Sequence, residues 1–194
     1  MEILAKRGKP TALKEIATAA SLNKVTTHRL LRSLCEGGAV QMIGQNGQYA
    51  LGPAVLRYAE AFRKGLTIRD RVLPYLEKLA IFTKETVIFC ERYGEEACVT
   101  VETWDSPHDT RTFSGTGIVR PLTEGSSALA ILAMLPEEEI LSIVRSHNLI
   151  RPIVVSPSTS KRLLAKIKEV KKLGYAVSMR ERDLVTGGIA APVF

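Results

Sequence analysis

The chain has 194 residues, enough for one large domain or two small ones. Apolar residues make up 45% and charged residues 24%, an ordinary globular composition, and no apolar run approaches the ~20 residues needed to span a bilayer. The net charge is +7, and it is uneven: residues 1–52 hold seven basic and three acidic residues, a local +4, which points to a polyanion partner for that part of the chain.

"MEILAKRG" reads as the tail of a helix stopped by Gly8 and Pro10. Thr11 is a candidate N-cap for "ALKEIATAA", with Glu15 in the first turn and Leu13, Ile16, Ala17 and Ala20 on one face. After the short break "SLN", Asn23 is a candidate N-cap for a second helix that runs to Cys35 or Glu36 and stops at Gly37-Gly38. Thr27, Leu30, Leu31 and Leu34 recur at i, i+3, i+4 and i+7 and form its inward face. The opposite face carries Lys24, Thr26, Arg29 and Arg32, with His28 at its border. In "AVQMIGQNGQYALG", Asn46-Gly47 lies between two short apolar runs and predicts a hairpin with a type I′ turn, because both residues tolerate positive φ.

Helix, short turn, helix and hairpin are the parts of a winged helix-turn-helix. Leucines would pin the second helix inward, so that Thr26 approaches a groove of double-stranded DNA and Arg29 and Arg32 reach phosphates or guanine acceptors. The wing, residues 45–49 with Gln48 and Tyr49, would lie on the backbone or in the minor groove. A basic solvated face that binds nothing is the alternative for that helix, and Arg29 has the further alternative of pairing with Glu15 or Glu36.

Pro53 opens a linker helix that ends at Gly65 and offers a dimer contact. A further helix follows in "IRDRVLPYLEKLAIFTKE", with Val72, Leu73, Leu76, Leu79 and Ala80 as its buried stripe. "TVIFCERYG" and "EACVTVETW" predict an antiparallel hairpin across Gly94-Glu95, and "TRTFSGTG" a third, weaker strand. "PLTEGSSALAILAML" predicts a helix entered through a Gly-Ser-Ser turn, and "PEEEILSIVRSHN" a helix with Pro and three glutamates at its start. In "SPSTSKRLLAKIKEVKKLG", Leu163, Leu164, Ile167 and Val170 face inward, the lysines form a solvated outer face and Gly174 is the stop. "YAVSMRERD" and "GIAAPVF" are two more strands. The fold class is thus α+β, with a DNA reader followed by a sheet-and-helix unit suited to sensing a small molecule.

Chemistry-bearing residues are sparse. Cys35, Cys90 and Cys98 are an odd set without framework spacing, which argues for reduced thiols in a cytosol. No C-x-x-C or H-E-x-x-H occurs, so no metal and no cofactor is expected. His28, His108 and His147 are scattered, His108 in a loop, and no spacing argues for a catalytic constellation, so the chain is read as no enzyme. A thiol-dependent enzyme using Cys90 and Cys98 stays as one alternative, against each being a small buried hydrophobe. A DNA-binding module without any ligand is the other.

The pieces "LKEIATAASLNKVTTHRLLRSLCEGG", "GQYALGP", "PLTEGSSALAILAMLPEEE" and "GYAVSMRERDLVTGGIAAPVF" together resemble the IclR-type bacterial transcriptional regulators over nearly the whole chain. The resemblance implies a winged helix domain over residues 1–52, a linker helix over 53–65 and an effector-binding domain over 66–194, the last with a curved antiparallel sheet of GAF-like or profilin-like character. It further implies cytoplasmic homodimers, or dimers of dimers, on operator DNA, with no membrane partner. It places Thr11, Lys24, Val25, Thr26, His28, Arg29, Arg32, Gln48 and Tyr49 at the DNA, and Gly125, Ser126, Ser127, Ser178, Glu181 and Gly188 around a small organic-acid or aromatic effector.

Departures from the family pattern are visible. Val25 stands where Ser is frequent, Thr123 where His is, and Ala128 and Leu129 where Gly and Lys are. Ser178 replaces a frequent acidic residue, Gly188 a frequent Cys and Val185 a common Gly, whereas Glu181 matches a recurrent glutamate. The pocket chemistry is therefore expected to differ from that of the best-known members, although helix N-terminal amides attract anions whatever their side chains. Members continue past "IAAPVF", so the chain is expected to be truncated at its C-terminus and to lack part of its first helix.

Overall fold

The structure, a computed structural model, describes all residues except 45–46, 66–67, 109–114, 151–156 and 182–185, and the side chains at 147–150 and 157–159 are likewise not described. The chain divides into two compact units, Met1–Arg71 and Val72–Phe194.

In the first unit, α1 (Glu2–Arg7) ends at Gly8, whose positive φ of 61° lets its N–H reach the Leu4 carbonyl. β1 (Thr11–Ala12) leads into α2 (Leu13–Ala19), and α3 (Lys24–Glu36) follows. The α3 cap is the one expected: the Asn23 side-chain oxygen accepts from the Thr26 N–H at 2.8 Å. β2 (Val40–Ile43) and β3 (Gln48–Leu51) form the hairpin, and β1 joins its other edge in the order β1-β3-β2. Leu4, Ile16, Leu31, Val40 and Tyr49 make the core. α4 (Ala54–Gly65) buries only Ala54 and leaves Leu56, Tyr58 and Phe62 exposed.

Several expectations are corrected here. Thr11 caps nothing: the α2 cap position is Ala12, with no side-chain hydrogen bond. The residues before α2 are extended because they pair with β3, Thr11 opposite Tyr49. That pairing turns the Thr11 side chain inward, and its hydroxyl donates to the Lys9 carbonyl at 3.0 Å. Leu30 is 52% exposed rather than inward. At about 100° per residue it lies at the edge of a stripe centred on Thr27, Leu31 and Leu34. The last paired positions of the hairpin are Ile43 and Gln48, and Gly47 between them takes a positive φ of 61°. Asn46 lies outside the described residues.

The second unit begins within α5 (Arg69–Thr83), of which only Val72 is fully buried; Leu79, placed in the stripe by sequence, is exposed. β4 (Val87–Tyr93) and β5 (Ala97–Trp104) form the expected hairpin, with Gly94 at φ 62° in its turn and a bulge between Phe89 and Cys90. β6 (Val119–Pro121) pairs with β5; of the expected strand "TRTFSGTG", residues 115–117 are not strand and 110–114 lie outside the described residues. α6 (Ser126–Ala133), α7 (Glu137–Ile150) and α8 (Pro157–Leu173) follow, and then β7 (Ala176–Met179) pairs antiparallel with β8 (Gly187–Ala190). The core joins Cys98 and Leu122 to Leu129 and Leu132 of α6, Ile140 and Val144 of α7, and Leu163, Ile167 and Val170 of α8. Leu164 is half-buried beside it. Among the described residues no helix is long and apolar enough to cross a membrane.

Candidate DNA-reading surface and effector site

α3 is anchored from one side. Thr27 is buried and donates its hydroxyl to the Asn23 carbonyl at 2.8 Å, and Leu31 is buried in the core. The face turned away carries Lys24, Val25, His28, Arg29 and Arg32, all exposed, and Val25 is 73% exposed. Thr26 stands at the border, half-buried. Arg29 pairs with neither acidic candidate: Glu15 takes the Arg7 guanidinium, and Glu36 takes Arg32 at 3.1 Å in an i, i+4 pair. Arg29 is thus left to solvent among the described residues, whereas Arg32 carries a local counter-ion.

On the wing, Gln48 is exposed but Tyr49 is 6% exposed and belongs to the core. Strand alternation is the cause, since successive side chains of β3 point to opposite faces. Tyr49 is therefore corrected from a DNA contact to a packing residue, and so is Thr11, at 2% exposure. Sequence reading missed Met42 and Ile43, which are exposed on β2 beside the turn. The alternation of "VQMI" alone does not reveal this.

The six expected effector residues meet at the start of α6. Gly125 takes φ 82° and precedes the first helical turn. Its N–H donates to a Glu181 carboxylate oxygen at 3.1 Å, and the Lys166 ammonium bonds the other oxygen. The Ser126 N–H donates to the Ser178 hydroxyl at 3.1 Å. Gly188 packs on the same spot: a Cβ there would stand 2.7 Å from the Ser126 hydroxyl and 3.6 Å from that of Ser178. Two of the leading amides of α6 are thus occupied by this chain's own oxygens, one of them a carboxylate.

Ser127 turns the other way, toward Cys90 of β4. Hydrogen bonds from Cys98, Thr100 and Ser127, with the charge of Arg120, bring the Cys90 thiol down to about 7 against the opposing effect of burial. Cys98, which donates to it, is pushed up by that bond and by burial. The sequence pairs Cys90 and Cys98 only as an alternative, on neighbouring candidate strands; the register of β4 against β5 is what brings them to one face, with Thr100 beside them.

A winged helix with an outward basic reading helix, followed by a separate sheet-and-helix unit, defines a DNA-binding regulator with a second domain. The model of the family described as "Bacterial transcriptional regulator IclR C-terminal" matches residues 61–194, and that of the "IclR helix-turn-helix domain" matches residues 1–42. The chain belongs to the IclR family of bacterial transcriptional regulators. It is 31% identical over 182 residues to the HTH-type transcriptional regulator KipR of Bacillus subtilis, covering 94% of this chain and 72% of that protein. An IclR family regulator from Brucella abortus superposes with a TM-score of 0.82 at 27% identity, covering 95% of this chain and 69% of that one. An IclR homologue from Microbacterium hydrocarbonoxydans, crystallised with 4-hydroxybenzoate, superposes with a TM-score of 0.75 at 21% identity, covering 95% and 76%.

Proposed function

We propose that the protein is a homodimeric, cytoplasmic regulator that places two α3 helices in successive major grooves of a pseudo-palindromic operator, and that a small carboxylate or aromatic metabolite tunes this binding. One observation carries the DNA-reading half. Thr27 and Leu31 fix α3 from within, while Lys24, Val25, Arg29 and Arg32 are exposed on its outer face. Thr26, His28 and the wing residue Gln48 flank that face. Residues 1–52 act as the reader, 53–65 as the linker helix, and 66–194 as the sensor.

The effector site of this reading is the start of α6, built from Gly125, Ser126, Ser127, Ser178, Glu181 and Gly188. The homologue that holds 4-hydroxybenzoate supports a ligand of this size and chemistry. In this chain a carboxylate ligand meets Glu181 on the Gly125 amide, so it must displace that side chain or bind through Lys166. Binding would favour one pre-existing arrangement of the dimer over another.

The test is selection of bound fragments from randomised DNA, with and without a panel of benzoates and short aliphatic acids. The reading predicts one enriched two-fold symmetric motif, whose yield changes with at least one acid. An unenriched pool would remove the sequence-specific reader, and a motif indifferent to every acid would remove this effector class.

A further inference from the structure

The β4–β5 hairpin places two thiols side by side. Its three-residue connection, 94–96, sets Tyr93 opposite Ala97, and from there Cys90 falls opposite Thr100 and Cys98 opposite Arg92. Cys90 and Cys98 are therefore diagonal neighbours on one face of the ladder. Such diagonals have Cα atoms about 7–8 Å apart, with the side chains closer. The Cys90 sulfur interacts with the diagonal Cys98 thiol, and Thr100 Oγ1 lies 3.7 Å from it. The two sulfurs differ in access: Cys90 is half-buried, whereas Cys98 is sealed in the core at 2% exposure.

We propose that Cys90 and Cys98 form a redox pair, in which Cys90 is oxidised by a peroxide and Cys98 then closes a disulfide onto it. The first step needs the Cys90 thiolate. Its hydrogen bonds from Cys98, Thr100 and Ser127 and the nearby Arg120 charge hold it in that form at neutral pH. The thiolate attacks a peroxide oxygen; the S–O bond forms, the O–O bond breaks, and the departing hydroxide takes up a proton as water. In the second step the Cys98 sulfur attacks Cys90 Sγ. The S–S bond forms, the S–O bond breaks, and the Cys98 proton leaves with the hydroxide as a second water. Two thiols and one hydrogen peroxide give one disulfide and two waters.

The order of events follows from burial, because Cys98 meets no oxidant until Cys90 has reacted. A disulfide takes Cα atoms no more than about 6.8 Å apart. Closure therefore draws the strands together by about an ångström, at the point where the bulge between Phe89 and Cys90 already bends β4. It also removes the thiolate that Ser127 of α6 hydrogen-bonds, so oxidation is felt at the start of α6.

The experiment uses the full chain carrying Cys35→Ser, which leaves only the pair, treated with stoichiometric hydrogen peroxide. The expected product has lost two titratable thiols and two hydrogens in mass. Peptide mapping links 90 to 98 within one chain, and dithiothreitol restores both thiols. In Cys98→Ala, dimedone traps a sulfenic acid on Cys90; in Cys90→Ser, Cys98 keeps its thiol. Thermal melts establish that each variant is folded, and mapping of the Cys35→Ser chain decides alone if a variant is not. The proposal is overturned if Cys90 stays unreacted, if Cys90 is oxidised while Cys98 remains a free thiol, or if the disulfide joins two chains.

Discussion

The Glu181 carboxylate accepts the backbone N–H of Gly125 at 3.1 Å, so the positive end of α6 already holds an anion that belongs to the chain. The Lys166 ammonium on the second oxygen holds the side chain in place. A carboxylate effector at the proposed site would compete with this internal one. Glu181→Gln keeps the shape and removes the charge, so small carboxylates such as benzoate are expected to bind several-fold more tightly. Isothermal titration calorimetry on the two proteins decides it. Unchanged or weaker binding in Glu181→Gln would mean that the Glu181 carboxylate does not exclude the ligand.

Arg32 and Glu36 give a second prediction. The pair is exposed and at i, i+4 spacing, so it contributes only about 0.3–0.5 kcal/mol to stability. In the proposed DNA complex it matters more, because Glu36 would lie beside the phosphates that Arg32 would neutralise. Arg32→Ala is expected to weaken binding to all DNA sequences alike and to reduce the slope of log K against log salt by about one. Glu36→Gln is expected to do the reverse, with tighter and more salt-sensitive binding. Fluorescence anisotropy across a salt series measures both. A slope unchanged in Arg32→Ala would place that guanidinium off the backbone.

The parts of the fold that local chemistry dictates were legible. Asn23 before "KVTTHRLL" marked the start of α3, and Gly174 marked the end of α8 through its φ of 80°. The parts that depend on pairing at a distance were not. Thr11 and Tyr49 read as polar or wing residues until β1 is seen on the edge of β3, which turns both inward. Leu30 read as core because a leucine at i+3 fits the pattern, yet the stripe is narrow and leaves it at the rim. The candidate effector residues come from the family resemblance. That two leading amides of α6 are spoken for by Glu181 and Ser178 needed the fold, because those partners lie 56 and 52 residues away.

The reading helix also depends on two small residues. Asn23→Ala removes the acceptor of the Thr26 N–H and is expected to cost about 1 kcal/mol, whereas Asn23→Asp should cost little. Gly52 is stricter. A Cβ there would fall well inside contact distance of the Gly38 carbonyl oxygen, 3.0 Å from the Gly38 carbon and 3.1 Å from the Val40 carbon. All of these are backbone atoms, at the point where the Gly52 N–H binds the Ala39 carbonyl. Gly52→Ala is therefore expected to lower the melting temperature more than Asn23→Ala does and to abolish specific DNA binding by displacing the wing. Paired thermal melts and binding isotherms test the ranking, and a Gly52→Ala protein as stable as the parent would refute the close approach.

The Cys90 thiol supplies a pH signature. Hydrogen bonds from Cys98, Thr100 and Ser127, with the Arg120 charge, favour the thiolate; burial works against it, and the balance sits at about 7 rather than the ordinary 9.0. The folded value is thus below the unfolded one. Its contribution to stability is fully present above about 9 and is lost as the pH falls through about 7. Reactivity follows the same ionisation, since only the thiolate is alkylated at a useful rate. In the folded Cys35→Ser chain, the rate of Cys90 modification by iodoacetamide is expected to rise with a midpoint near pH 7. The same chain in concentrated urea should show the midpoint of an ordinary thiol, well above that. Cys98→Ala removes the first of the three donors and is expected to move the folded midpoint upward, while Cys98 itself stays unmodified in the folded parent. A folded midpoint equal to that in urea would show that the neighbours of Cys90 do not stabilise its thiolate.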